Sequence, residues 1–139
     1  MKLLVALFSA LLIISTSSCN KTGVAKNPVT TTVDLNECIQ RGSANSSATL
    51  CFEEVIGDSR CPAEAVCVWA GTAIAKFRLT TNGQEHILNL ATMAWHVYPK
   101  SIEVDGYRVE LVDVKPYPGT IPFPVPIHDV KAEVIFTKL

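Results

Sequence analysis

Apolar and polar residues alternate along most of the chain after residue 32, which is the pattern of β-strands with one buried face. The clearest example is the run Ala73, Ala75, Phe77 and Leu79, whose intervening residues are mostly polar. Similar runs occur at 33–39, 50–53, 86–90, 102–104, 107–114 and 130–136. The pattern predicts about seven strands and no helix.

Two dipeptides predict where neighbouring strands are joined by tight turns. Asn82-Gly83 and Asp105-Gly106 each separate two alternating runs. Both central residues of a type I′ turn need a positive φ, which Asn, Asp and Gly tolerate best. We therefore expect two hairpins here.

Two other segments fit no strand. Residues 116–126 contain five prolines, which removes too many backbone donors for a central strand, so an extended crossing loop is expected. Residues 93–100 are interpreted as an irregular loop or a short helical turn.

The predicted elements favour an all-β fold, namely an antiparallel β-sandwich that is immunoglobulin-like in general form. A small closed β-barrel is the alternative. Trp69, close to Cys67, would suit a sandwich core as an anchor. The other interpretation of Trp69 is an exposed aromatic residue for contact with a sugar or a protein.

The first residues have the layout of a secretory signal. A single lysine precedes an almost unbroken apolar run at residues 3–14, and small polar residues follow as far as Cys19. The run is short of the roughly 20 residues that span a bilayer. The predicted organisation is a signal peptide at 1–18, a lipidated cysteine and flexible tether at 19–32, and one domain at 33–139.

The end of this segment, Ser15-Thr16-Ser17-Ser18-Cys19, resembles the lipobox of bacterial lipoproteins. That family usually has an aliphatic residue at the position of Thr16, so the match is imperfect. The resemblance implies a lipid on Cys19 that holds the protein on a membrane. Acidic residues, which direct some lipoproteins to the cell surface, do not follow Cys19, so we expect a periplasm-facing site on the outer membrane.

Of the five cysteines, four remain when Cys19 is set aside, and an even number in an exported domain predicts disulfides. Cys38 and Cys51 are both out of phase with their apolar neighbours. Adjacent antiparallel strands would therefore place them on the same outer side, and we predict a Cys38–Cys51 bridge. Cys61 and Cys67 enclose a short loop that contains a proline, and they form the second predicted pair.

The charge balance argues against one class of partner. The whole chain has 12 basic and 13 acidic residues, and loss of Lys2 with the signal peptide leaves a net charge of −2. No basic patch stands out, so nucleic-acid binding is not expected.

No catalytic or metal-binding constellation is visible. His86, His96 and His128 lack the spacing of a metal site, and no serine lies in a nucleophile elbow. Asp58 and Arg60 are expected to fix their loop through hydrogen bonds and an ion pair. The sequence predicts no cofactor and no metal.

A contact patch of Trp95, His96 and Tyr98 is predicted in the least regular part of the domain, although packing is as good an explanation for these residues. The functional hypothesis is a lipid-anchored binding or structural module of the cell envelope, with an envelope protein or a glycan as partner. The alternative is an envelope enzyme, or an inhibitor of enzymes such as proteases, that acts through residues 93–100 or 116–126.

The segment from Phe52 to Leu79, with its Asp-Ser-Arg-Cys-Pro and Cys-Val-Trp-Ala-Gly elements, resembles a group of small secreted or lipid-anchored bacterial domains. Residues 112–118 and 130–136 would be further shared parts. The resemblance implies an exported domain but no particular activity, and the Cys38 and Cys51 pair is an addition to the group's usual pattern.

Overall fold

The computed structural model describes residues 28–43, 46–119 and 129–139. They form eight β-strands: β1 (Thr30–Asp34), β2 (Cys38–Ser43), β3 (Ser46–Asp58), β4 (Ala73–Thr81), β5 (Gln84–Ala91), β6 (Ser101–Val104), β7 (Tyr107–Lys115) and β8 (Lys131–Lys138). All pairings between them are antiparallel. The described part of the chain has no helix with the length and apolar character that a membrane crossing requires.

The strands form two separate four-stranded sheets. Their orders are β1-β8-β7-β6 and β2-β3-β4-β5. Because no described strand of one sheet pairs with a strand of the other, the fold is a β-sandwich, as predicted, and the closed-barrel alternative is wrong.

The core lies between the two sheets and consists of the residues on each strand that face the opposite sheet. In β4 every second residue, from Ala73 to Thr81, is buried. Phe52 and Phe77 stack with ring centroids 5.2 Å apart, and Leu111 and Phe136 are buried on the opposing sheet. Full burial of side chains of this size stabilises the fold by about 1.5–3 kcal/mol each.

Both predicted hairpins are confirmed. Asn82 and Gly83 join β4 to β5 with φ values of 48° and 77°, and Asp105 and Gly106 join β6 to β7 with 49° and 77°. Positive φ at both central residues is the requirement that made these dipeptides informative.

The alternating run at 33–39 is not one strand, so that part of the prediction is wrong. β1 ends at Asp34 and pairs with β8, whereas β2 starts at Cys38 and pairs with β3 in the other sheet. Asn36, with φ of 67°, lies in the crossing, and its backbone N–H donates to the carbonyl of Phe52 at 2.8 Å. The chain therefore changes sheet here.

The structure also locates the start of the domain. β1 begins at Thr30, three residues before the predicted boundary, so Thr30–Thr32 belong to a strand and not to a tether. The predicted signal peptide, Cys19 and the rest of the tether lie outside the described residues.

Both predicted disulfides are present. Cys38 and Cys51 lie directly opposite each other on β2 and β3, with Cα atoms 4.0 Å apart. Cys61 and Cys67 close a loop between β3 and β4, with Cα atoms 5.9 Å apart. Each bridge restricts the unfolded chain and is typically worth about 2–4 kcal/mol.

The sandwich has two different ends. The end that carries the Asn82-Gly83 and Asp105-Gly106 turns is called the hairpin end, and β1 begins there. The opposite end is called the loop end. It carries the connections β3–β4, β5–β6 and β7–β8, of which residues 120–128 lie outside the described part.

Candidate functional site

An apolar groove of about 590 Å³ lies at the loop end. It is formed where the β3–β4 connection meets the start of the β5–β6 connection. Its lining consists of Ser59, Trp69, Ala70, Gly71, Thr72, Met93 and Trp95. The volume lies within the usual range of sites that bind small molecules or a few side chains.

Large apolar side chains at this groove are open to solvent. Trp69 is 79% exposed, Trp95 56% and Met93 50%. Trp69 and Trp95 are the only two tryptophans in the chain. Val66, Val68 and Val97, on the same two connections, are also largely exposed. Single exposed apolar residues are ordinary, whereas a group of them on adjoining loops is the kind of feature from which an interaction surface can be proposed.

The preferred interpretation of Trp69 as a core anchor is therefore wrong. β4 begins only at Ala73, and the alternation that directs side chains inward does not extend back to Trp69. Inward positions of the strands already fill the space between the sheets. Trp69 lies instead on the connection and is exposed, as the alternative interpretation expected. Its contact with a sugar or a protein stays a prediction.

The floor of the groove is organised around Thr72, whose side chain is buried. The Thr72 hydroxyl donates to the carbonyl oxygen of Met93 at 3.1 Å and accepts from the Met93 N–H at 3.2 Å. The Ser59 hydroxyl donates to the Thr72 carbonyl and accepts from the Thr72 N–H, both at 3.1 Å. The bonds between Thr72 and Met93 hold the two connections against each other, and those between Ser59 and Thr72 join the two ends of the β3–β4 connection. Together they engage both hydroxyl groups of the lining.

Gly71 is required by this close approach. A Cβ atom at residue 71 would lie 1.7 Å from the carbonyl oxygen of Ser59 and 2.7 Å from the backbone nitrogen of Arg60. No other residue type fits beside that backbone. The glycine of the Cys-Val-Trp-Ala-Gly element thus has a packing role in the groove.

Arg60 fixes the β3–β4 connection to strand β7. The Arg60 residue is only 5% exposed. Its guanidinium donates to both carboxylate oxygens of Asp58, at 2.9 and 2.6 Å, and to Asp113 at 2.8 Å. It also donates to the carbonyl of Val114 at 2.5 Å and lies 4.0 Å from the ring centre of Tyr117.

These partners stabilise the charged form of Arg60. Burial alone lowers the pKa of Arg60, but the hydrogen bond and charge of Asp58, together with Asp113 and Tyr117, outweigh it and raise the pKa above its ordinary value. The expected ion pair of Asp58 and Arg60 is confirmed by their contact at 2.6 Å, and Arg60 also pairs with Asp113 on β7 at 2.8 Å.

The predicted patch of Trp95, His96 and Tyr98 is only partly brought together. Trp95 and Tyr98 exchange two backbone hydrogen bonds, at 2.9 and 2.8 Å, and His96 occupies the turn between them with φ of 49°. The His96 ring meets Trp95 edge-on at 4.7 Å. Of the three residues, Trp95 alone lines the groove. Met93 was missed because a single methionine in an irregular segment carries no pattern.

The histidines are dispersed. His86 is at the hairpin end, where its Nε2 lies 2.9 Å from Asp105, while His96 is at the loop end and His128 lies outside the described residues. Within residues 28–43, 46–119 and 129–139, no three His, Cys, Asp or Glu side chains lie close enough to hold a metal ion.

Comparison of the chain with protein families, with curated proteins and with solved structures gives no match. The case for a functional site in the groove therefore rests on the geometry of the groove alone.

Proposed function

We propose that the protein is a non-enzymatic binding module of the cell envelope, which docks an apolar segment of a partner protein in the groove between Trp69 and Trp95. The observation that carries the proposal is the groove itself: exposed aromatic and thioether side chains on connections that are fixed by Thr72 and Arg60. A rigid site loses little conformational entropy when it binds.

The lining favours a protein segment over a glycan. Sugar recognition needs free hydrogen-bonding groups, but the hydroxyls of Ser59 and Thr72 are already engaged within the protein. Tryptophan and methionine, in contrast, are enriched in the centres of protein interfaces. An apolar side chain of a partner would displace water from both tryptophan rings at once.

The position of the groove suits a domain anchored through Cys19. The described chain enters at the hairpin end, and the nine residues of β4 separate that end from the loop end by about 30 Å. An anchor upstream of β1 would hold the hairpin end toward the membrane and present the groove away from it. The two disulfides support export to an oxidising compartment.

The docking proposal is tested with a displayed library of random peptides selected on the purified domain. We expect selected peptides to share apolar or aromatic residues. We expect Trp69→Ala and Trp95→Ala to weaken their binding about 30-fold, as for a central interface residue worth about 2 kcal/mol. Ile87→Ala, which removes an exposed apolar residue on β5, is the matched control and should bind normally.

The opposite results are equally specific. Peptides that bind the Trp69→Ala and Trp95→Ala proteins as tightly as the original would place the binding surface elsewhere. If a glycan array gave ligands sensitive to both tryptophans while the peptides failed, the partner class proposed here would be wrong.

The anchor is tested separately by mass spectrometry and fractionation of the protein from its own cells. We expect acyl chains on Cys19 and a membrane-bound protein, and we expect Cys19→Ser to release it from the membrane. A mature chain with an unmodified Cys19 would contradict the anchor while leaving the groove unaffected.

A further inference from the structure

We infer that Met93 is a modification site at which peroxide-type oxidants switch off the groove. The inference rests on the proposed binding function for its consequence, although the oxidation itself does not. Converting the thioether of Met93 to a sulfoxide would place a polar group on the apolar wall between the loops.

The position of Met93 favours reaction at its sulfur. Half of the residue is exposed, so a small oxidant can reach it. Its backbone cannot easily withdraw, because both its N–H and its carbonyl are bonded to the buried Thr72 hydroxyl, at 3.2 and 3.1 Å. The only other methionine in the chain is Met1, inside the predicted signal peptide.

The chemistry balances with hydrogen peroxide as the oxidant. The thioether sulfur attacks one peroxide oxygen, an S–O bond forms, and the O–O bond breaks. The sulfur loses two electrons, and each peroxide oxygen gains one. The second oxygen leaves as hydroxide, takes up the proton of the transferred oxygen and departs as water. The product is a polar, chiral sulfoxide, which methionine sulfoxide reductases can reverse.

A sulfoxide changes what the groove can bind. Its oxygen is a strong acceptor, and the nearby hydroxyls of Ser59 and Thr72 already have partners. An apolar ligand would have to strip water from this oxygen without replacing the hydrogen bond. We expect at least a roughly tenfold loss of affinity for apolar ligands.

The first experiment measures the reaction directly. The folded protein is treated with hydrogen peroxide, and peptide mass spectrometry follows the gain of one oxygen on Met93. We expect a rate within about fivefold of that for free N-acetylmethionine amide, since the side chain is half exposed. A rate a hundredfold slower would show a protected sulfur and overturn the inference.

The second experiment measures the effect on the groove without any partner. Trp69 and Trp95 are the only tryptophans and both line the groove, so tryptophan emission reports on this site alone. Peroxide should change the tryptophan emission of the original protein but not that of Met93→Leu, and a reductase should restore it. Equal changes in both proteins, or none in either, would overturn the inference.

Binding is followed with the apolar dye 1-anilinonaphthalene-8-sulfonate. The dye affinity of the original protein should fall about tenfold after peroxide, while the affinity of Met93→Leu, compared with its own starting value, should not change. Absence of dye binding before oxidation would count against the proposed function, whereas the emission measurement would still decide on Met93.

Discussion

Replacement of Arg60 by methionine is the perturbation with the largest expected effect outside the core. The substitution keeps most of the aliphatic volume but removes the guanidinium from between Asp58 and Asp113. It also leaves the carbonyl of Val114 without its side-chain donor and removes the cation from the face of Tyr117. The negative charges of Asp58 and Asp113 would then lack the cation that both now pair with.

The magnitude follows from burial. Removing one partner of a buried ion pair costs about 3–5 kcal/mol, because the remaining charge loses both water and its counterion. Asp58 and Asp113 keep partial access to solvent, so we expect the lower end, about 3 kcal/mol. In a domain of this size the loss corresponds to a fall in Tm of roughly 10–20 °C.

The assay is equilibrium unfolding in urea, with the free energy of unfolding and the m-value fitted together. Arg60→Lys should fall between the two proteins, because an ammonium keeps the charge but cannot bridge two carboxylates with a planar fork. Arg108→Met is the matched control. Arg108 is an exposed strand residue with one pairing to Glu110 at 3.4 Å, and its loss should cost less than about 0.5 kcal/mol.

Two results would contradict this expectation. One is an Arg60→Met protein whose free energy of unfolding lies within about 0.5 kcal/mol of that of the original protein. The other is an Arg108→Met protein that is as destabilised as Arg60→Met. Either result would mean that the buried guanidinium is not what fixes the β3–β4 connection.

Three further predictions concern other parts of the fold. Gly71→Ala should destabilise the domain by at least about 2 kcal/mol in urea unfolding, because its Cβ would collide with the Ser59 carbonyl, and an unchanged stability would contradict the close approach. Phe52→Ala should cost about 3–5 kcal/mol in the same assay through the cavity it leaves. The pKa of Asp105 is lowered by its hydrogen bonds from Thr81 and His86, so its stabilising contribution is complete above the unfolded-state pKa near 4 and is lost as pH falls further. Thermal unfolding of Asp105→Asn should therefore depend less on pH below about 4 than that of the original protein.

The features predicted correctly from the sequence are those that depend on neighbouring residues, namely the tight turns and the side-chain phase of the strands. The Asn82-Gly83 and Asp105-Gly106 turns depend only on which residues tolerate positive φ. The Cys38–Cys51 bridge follows from side-chain phase, because adjacent strands place out-of-phase residues on the same outer face.

The sequence-based predictions were wrong where tertiary structure overrides the local alternation of apolar and polar residues. The run from Val33 to Ile39 keeps its alternation through a change of sheet, and only Asn36, a residue that tolerates positive φ, marked the crossing. Trp69 was assigned to the core by residue type, but the backbone that carries it is a connection between strands.

The parts of the site that were not predicted are long-range. Arg60 meets Asp113 and Val114 across 53 and 54 residues of chain, and Thr72 meets Met93 across 21. No short-range pattern encodes such contacts. The groove could therefore be recognised only once the two connections were seen side by side.

Photo-cross-linking in the cells that make the protein tests directly whether the groove at the loop end binds a partner. A benzoylphenylalanine is placed at Val68, beside Trp69 on the loop end, or at Ile87, an exposed position on β5. We expect a discrete cross-linked product of one mass from position 68, its loss when Trp95→Ala is added, and no such product from position 87. Equal products from both positions, or a product at 68 that persists with Trp95→Ala, would contradict a partner-binding groove at the loop end.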